Sequence, residues 1–151
     1  RGTGQGASWR DEAFEEIPVG KGIKLHEGEG IAILTIGAVG NKASEAVLKA
    51  EGEGIQVLHF NMRFIKPIDE EILSEACRKA PTIITVEDGA LYGGLHSAVS
   101  EYVTTNGLGN KVISLGIPDR FIEQGSVAEL HRECGYDAES IYNAIKENYK
   151  R

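Results

Sequence analysis

Two cationic side chains stand directly after a predicted strand in an acidic chain. The stretch HFNMRFIKPID carries Arg63 and Lys66 just beyond the apolar run at 55–60. The planar guanidinium group of an arginine offers paired donors that suit a carboxylate or a phosphate. Arg63 is therefore a candidate anion ligand. The alternative is a structural ion pair with Glu87 or Asp88 on a neighbouring loop.

The elements that must position these side chains alternate between strands and helices. Apolar runs bounded by glycine predict strands, and apolar residues at helical spacing predict helices. The predicted strands are 22–28, 30–37, 55–60, 82–88 and 111–117, and the predicted helices are 41–54, 67–80, 95–105 and two near the end, with Ser126 and Asp137 as N-caps. Short apolar strands separated by helices predict a three-layer α/β/α fold around a mostly parallel five-stranded sheet.

The carboxyl ends of parallel strands form one edge of such a sheet, where loops and helix N-termini converge and ligands bind. We expect Arg63 on this carboxyl edge. The loops expected beside it are 37–40, 87–94 and 118–124. Gly93 and Gly94 precede a predicted helix, and two roles stay open for them. They could leave helix N–H groups free for an anion, or allow tight packing against a neighbouring subunit.

Composition disfavours several classes of partner. The chain has 151 residues, of which 41% are hydrophobic, which is enough for one sizeable core and one folded domain. A net charge of −7 disfavours nucleic acid and anionic membranes as partners, and no apolar run has the length of a membrane span. Cys77 and Cys134 are isolated, as is typical of reduced cysteines in a cytoplasmic protein.

The remaining titratable residues favour structural roles. Glu87 and Asp88 form a carboxylate pair that could serve acid–base chemistry, although a salt bridge or helix-terminus electrostatics requires less. His59, at the end of a strand, fits a hydrogen-bonded core or edge position. The four histidines lack metal-ligand spacing, so we expect no metal site. We assign no catalytic residue to this chain.

The first residues have the composition of a linker. The chain opens with RGTGQGASWRDEAFEEIP, which lacks an initiator methionine and has three glycines in its first six residues. A glycine-rich loop cradles phosphate when it joins a strand to a helix N-terminus, and the sequence predicts neither element here. We interpret the chain as a piece of a longer polypeptide, with residues 1–18 as a linker from upstream domains and 19–151 as the folded domain.

Four segments resemble one enzyme family. AILTIGAVGNKASEAV, HFNMRFIKPIDEEIL, TVEDGALYGGLHSAVSEY and LGIPDRFIEQGSVAEL are similar, in this order, to the C-terminal domain of the 1-deoxy-D-xylulose 5-phosphate synthases. The match runs from about Arg1 to Lys146. Related domains end the transketolases and the β subunits of 2-oxoacid dehydrogenases. The combination of RF-x-KP-x-D with PDRF-x-x-x-GS favours the synthases.

The resemblance implies a thiamine diphosphate-dependent transferase. Such an enzyme condenses pyruvate with D-glyceraldehyde 3-phosphate, releases carbon dioxide and supplies isoprenoid, thiamine and pyridoxal synthesis. The resemblance also implies that upstream domains bind thiamine diphosphate and Mg²⁺, so this chain would hold no cofactor and would be inactive alone. The implied partners are the upstream domains, a second copy in a homodimer and the small phosphorylated substrate.

The resemblance also assigns substrate ligands. Arg1 matches the arginine of the family's YPRG segment, and Arg63 matches that of the RF-x-KP segment. Both are implied ligands of the aldehyde phosphate. Two residues depart from the family pattern, since Gln124 stands where many relatives carry His and His96 where a small residue is common. The alternative assignment is an assembly or partner-binding domain of a transketolase or of a 2-oxoacid dehydrogenase β subunit.

Overall fold

The fold is a single sheet with helices on both faces. The computed structural model describes residues 16–149. The strands are β1 (Ile23–His26), β2 (Ile31–Ile36), β3 (Val57–Asn61), β4 (Thr82–Ala90) and β5 (Lys111–Ile117). The helices are α1 (Gly40–Gly52), α2 (Glu70–Lys79), α3 (Leu95–Thr105), α4 (Val127–Glu133) and α5 (Ala138–Asn148). The alternation of strands and helices follows the sequence prediction closely.

The strand order is β1-β3-β2-β4-β5. Strands β2 to β5 are parallel, and β1 pairs with β3 in the antiparallel direction. The predicted mostly parallel five-stranded sheet is therefore confirmed. Because β1 runs against its neighbour, the chain reaches it at the carboxyl edge, where Ile23 pairs with Asn61 at the end of β3.

The hydrophobic core lies in two layers, one on each face of the sheet. Strand β2 is at the centre, and its residues from Ile31 to Thr35 are all buried, which explains its unbroken apolar run. One face is covered by α1 and α5, which contribute Ala43, Ala46, Val47, Ala50, Ile141, Tyr142 and Ile145. The other face is covered by α2 and α3, which contribute Ile72, Leu73, Ala76, Leu95, Val99 and Val103.

Side-chain caps set the starts of three helices. Ser126 and Asp137 cap α4 and α5, as predicted. Helix α2 begins at Glu70, three residues later than predicted, because Asp69 caps it by accepting the N–H groups of Glu71 and Ile72 at 3.1 and 3.3 Å. Pro67 and Ile68 therefore belong to the loop that carries Arg63.

Helix α4 differs from the other helices because it buries none of its residues. It is held locally by a capping box in which Ser126 and Glu129 satisfy each other's backbone N–H groups. Within residues 16–149, none of the helices combines the length and the apolar character that crossing a bilayer requires.

Candidate functional site

Arg63 lies at the carboxyl edge of the sheet, two residues beyond the end of β3. The neighbouring strands end beside it, since Thr35 of β2 pairs with Asn61 of β3 and Ile36 pairs with Glu87 of β4. The loops after the four parallel strands therefore share this edge, as the sequence predicts. Arg63 is partly buried there, whereas Lys66 of the same loop is exposed.

The backbone of Arg63 is in the left-handed region, with φ at 56°. Among residues 16–149, it is the one residue other than glycine with a positive φ. This conformation costs a side-chain-bearing residue about 1–2 kcal/mol. The turn is held on its N-terminal side, because Asn61 Oδ1 accepts the Arg63 N–H at 3.0 Å and Met62 donates its N–H to the Thr35 carbonyl at 2.8 Å.

Glu87 caps helix α3 from the neighbouring strand. Its carboxylate accepts the N–H of Leu95 at 3.0 Å and that of His96 at 3.1 Å, and the residue is only 5% exposed. The N-cap residue Gly94 has no side chain to do this. Because these two N–H groups already donate to Glu87, they are not available to an external anion. The glycines preceding α3 let the Glu87 carboxylate reach the helix, which agrees with the helix-terminus role predicted as one alternative for Glu87, although no contact between these glycines and a carboxylate was predicted.

Asp88 faces the C-terminal helices. Its Oδ1 accepts the hydroxyl of Tyr136 at 3.0 Å, and its Oδ2 lies 3.9 Å from Nε2 of His131. Because Glu87 caps α3 and Asp88 binds Tyr136, neither carboxylate is the partner of Arg63. No carboxylate within residues 16–149 forms an ion pair with Arg63. The structural salt bridge weighed against an anion ligand is absent from this part of the chain.

Asp69 joins the Arg63 loop to the start of β1. Besides capping α2, its Oδ2 accepts the N–H of Gly22 at 3.0 Å, and Lys21 Nζ lies 3.8 Å from its Oδ1. The residue is 5% exposed. This aspartate is part of the RF-x-KP-x-D motif, but no role was predicted for it. The signal that could have found it is an aspartate before two glutamates, which is typical of a helix start.

His59 is a fully buried residue rather than a group facing the carboxyl edge. The Thr35 hydroxyl donates its proton to the Phe60 carbonyl at 3.2 Å. Thr35 Oγ1 also lies 3.1 Å from His59 Nε2, and because its one proton is already donated, it accepts a hydrogen bond from a protonated Nε2. Burial, followed by a smaller Coulombic effect from His26, lowers the pKa of His59 to about 4. His59 is therefore neutral at physiological pH and belongs to the core, as expected.

Two open grooves occur at the carboxyl edge and beside it. One, of about 560 Å³, lies between the loops after β4 and β5, and is lined by Ala90, Leu91, Tyr92, Ile117, Pro118, Asp119, Arg120 and Phe121. The other, of about 600 Å³, lies between the Arg63 loop and α3. Tyr92 and Phe121 project from the first groove with 75% and 103% exposure, which is unusual for aromatic side chains in a folded domain.

The remaining sequence predictions fall in different places. Arg1 and most of the proposed linker lie outside the described residues. Gln124 is exposed, and His96 is partly buried at the start of α3. Within residues 16–149, no three histidine, cysteine or acidic side chains form a cluster that could hold a metal ion.

Residues 20–141 match the sequence profile of a family described as "Transketolase, C-terminal domain". The chain belongs to this family. A structural comparison agrees with this assignment. The domain superposes on a solved protein described as a split-gene transketolase, inactive β4 tetramer, with a TM-score of 0.82 and 31% identity over 93% of this chain and 47% of that one.

Curated relatives of this transketolase C-terminal domain carry the name 1-deoxy-D-xylulose-5-phosphate synthase. The protein from Cytophaga hutchinsonii is 49% identical over 97% of this chain, that from Bacteroides fragilis 45% over 100%, and that from Chlorobaculum tepidum 42% over 99%. The predicted resemblance to the synthases is confirmed. The chain spans only 23–24% of the length of these relatives, so it corresponds to their C-terminal domain.

Proposed function

We propose that this domain is the C-terminal part of a 1-deoxy-D-xylulose 5-phosphate synthase that condenses pyruvate with D-glyceraldehyde 3-phosphate. In this proposal the domain binds the phosphate of the aldehyde through Arg63, with Arg1 as a second ligand. It also contributes to packing between the domains and the two subunits of a cytoplasmic homodimer. The isolated chain catalyses nothing, because the reacting groups belong to the rest of the polypeptide.

The observation that carries the proposal is the state of the Arg63 side chain. It stands partly buried on the carboxyl edge, and none of the described carboxylates is paired with it. A partly buried arginine without a counter-charge is available to an anion, which the complete enzyme or its substrate can supply. A phosphate dianion suits the guanidinium fork, and the aldehyde substrate provides one.

The described residues do not fit thiamine diphosphate or its metal ion. At the N-terminus of α3, the N–H groups of Leu95 and His96 could otherwise bind a diphosphate, but both donate hydrogen bonds to Glu87. The described acidic residues and histidines are also too dispersed to hold a metal ion. We therefore assign thiamine diphosphate and Mg²⁺ to the other domains, and no chemical step to this one.

We also propose that the remainder of the same polypeptide covers the carboxyl edge. The curated relatives are about four times as long as this chain, which leaves a large body of protein to be accommodated. The described chain enters β1 at this same edge, where Ile23 pairs with Asn61. The exposed Tyr92 and Phe121 supply apolar area for such a contact, and aromatic side chains are favoured at interfaces.

The experiment that tests the phosphate assignment is Arg63→Ala in the full-length enzyme. Losing a charge-assisted contact costs roughly 1.5–3 kcal/mol, which corresponds to an increase of about 10- to 100-fold in KM for the phosphorylated aldehyde. KM for pyruvate and the affinity for thiamine diphosphate should stay unchanged. Arg63→Lys should recover part of the loss, because an ammonium group cannot reproduce the fork.

Two controls make the result specific. Unphosphorylated glyceraldehyde should be used equally well by the wild type and by Arg63→Ala, since it has no phosphate to bind. Lys66→Ala removes an exposed cation from the same loop and should change KM for the phosphorylated aldehyde much less. Equal impairment of both aldehydes by Arg63→Ala would contradict the proposal and favour an assembly role for this edge.

A further inference from the structure

The left-handed turn at Arg63 needs a structural cause. A residue with a side chain occupies this region when its surroundings impose it, and such residues concentrate at functional sites. The turn carries two hydrogen bonds: Asn61 Oδ1 accepts the Arg63 N–H at 3.0 Å, and the Met62 carbonyl accepts the Phe64 N–H at 2.5 Å. An asparagine that bonds the backbone two residues later is a recognised way to fix a turn.

Asn61 is well placed to act as this anchor. It is the last residue of β3 and pairs with Ile23 of β1 on one side and Thr35 of β2 on the other. The backbone of Asn61 is therefore held by both neighbouring strands and does not move with the Arg63 loop. Met62, between the two residues, is fully buried and bonded to Thr35. Arg63 is therefore the first residue beyond those that strand pairing holds, and its φ angle, set within the two turn bonds, determines the direction in which the side chain leaves the edge.

We propose that Asn61 is a positioning residue for Arg63. Its side-chain oxygen holds the left-handed turn, and the turn directs the guanidinium toward the phosphate of the aldehyde substrate. Without this acceptor, only the bond between the Phe64 N–H and the Met62 carbonyl holds the turn, and φ of Arg63 shifts toward the negative values that residues with a Cβ prefer, which changes the direction of the side chain. This inference rests on the proposed function of Arg63 and adds a residue that makes no contact with the substrate.

The test is a double-mutant cycle in the full-length enzyme. Asn61→Ala should lower kcat/KM for the phosphorylated aldehyde roughly 5-fold, equivalent to about 1 kcal/mol, and leave unphosphorylated glyceraldehyde and pyruvate unaffected. Asn61→Ser, whose hydroxyl can accept a bond in a similar local turn, should recover part of the loss. When Arg63 is already alanine, Asn61→Ala should have no further effect, because a positioning residue acts only through its partner.

A second readout follows the turn itself. The Arg63 amide should be protected from hydrogen exchange in the wild type, and Asn61→Ala should increase deuterium uptake in the peptide spanning 59–66. Asn61→Ser should show intermediate uptake. A merely structural role for Asn61 would lower the melting temperature and impair both aldehydes alike, without a selective kinetic effect.

The outcomes separate this inference from the function on which it rests. If Arg63→Ala is selective for the phosphorylated aldehyde but Asn61→Ala is silent, or if the two losses simply add, the positioning role is overturned while the phosphate site stands. If Arg63→Ala is not selective, the proposed function fails, and the positioning role fails with it. Selective loss in both single variants, with no added loss in the double variant, supports both.

Discussion

The carboxylate of Glu87 rests directly on Gly94. A Cβ atom added to Gly94 would lie 2.1 Å from Glu87 Oε2, well inside any permitted contact. Glu87 could escape only by turning away, and it would then lose both N–H groups that it caps at the start of α3. Glu87 can therefore cap α3 because Gly94 has no side chain.

We expect Gly94→Ala to destabilise the domain by about 2 kcal/mol, the combined cost of a lost cap and a displaced buried carboxylate. The backbone of Gly94 has φ at −95°, so alanine meets no backbone strain there and the effect comes from Glu87. Urea unfolding of the domain would measure the change. Gly109→Ala is the matched control, because its Cβ would meet no atom within 4 Å, and it should be nearly neutral.

The same prediction can be checked by removing the partner. In a Glu87→Ala background the cap is already lost, so adding Gly94→Ala should cost little more. Two losses that add fully would show that Gly94 acts through something other than Glu87.

His59 should make stability depend on pH. Its folded pKa, about 4, lies below the ordinary value of 6.5, so the unfolded chain binds a proton more readily. The contribution of neutral His59 is thus fully present above pH 6.5 and is lost as the pH falls toward 4. At pH 5 the free energy of unfolding should be about 2 kcal/mol lower than at pH 8 on account of this residue.

Urea unfolding between pH 5 and 8 would check this dependence. His59→Gln retains a donor for Thr35 but does not titrate, so the variant should show a flatter pH profile whatever its stability at neutral pH. Equal slopes for the wild type and His59→Gln would contradict the assignment, and so would a His59 pKa near 6.5 measured by NMR.

Much of this architecture could be predicted from the sequence because the signals are local. The apolar run of β2, the spacing of Ala43, Ala46 and Val47 in α1, and the caps Ser126 and Asp137 each act within a few residues. The position of Arg63 at the carboxyl edge then follows from parallel topology alone. The resemblance to a known family then suggested the phosphate of the aldehyde substrate as the anion that Arg63 binds.

The parts that could not be predicted depend on contacts between distant segments. Asp88 binds Tyr136 across 48 residues, and Asp69 reaches back 47 residues to Gly22. For Glu87, helix-terminus electrostatics was one of the predicted roles, but its close contact with Gly94 was not predicted. The left-handed turn at Arg63 was also missed, because such turns are expected at glycine and this one is held by an asparagine. The two roles considered for Gly93 and Gly94 were anion binding and packing against another subunit, and neither of them was contact with a carboxylate of the same chain.

The isolated chain of 151 residues should fold but bind no cofactor. Both faces of its sheet are covered by helices, and the core is continuous on each side. We therefore expect a single cooperative thermal transition, while calorimetry with thiamine diphosphate and Mg²⁺ should give no binding heat. Micromolar affinity for the cofactor would overturn our assignment of that site to the other domains, and a melt without a transition would show that folding requires them.

Phe121 should matter only in the complete enzyme. Its side chain is fully exposed in this domain, so Phe121→Ser should leave the stability of the isolated chain unchanged. In the full-length protein, where we expect it to be covered, the same change should lower the melting temperature and increase proteolysis between the domains. Leu48→Ser, which alters an apolar residue of α1 that is 62% exposed, is the control and should be silent in both proteins.

The antiparallel strand β1 has a mechanical consequence. It brings the chain into the domain at Gly22, and Asp69 fastens that point to the loop bearing Arg63. One buried carboxylate therefore joins the first residue before β1 to the loop that carries Arg63, so a displacement of the chain at Gly22 is passed directly to that loop.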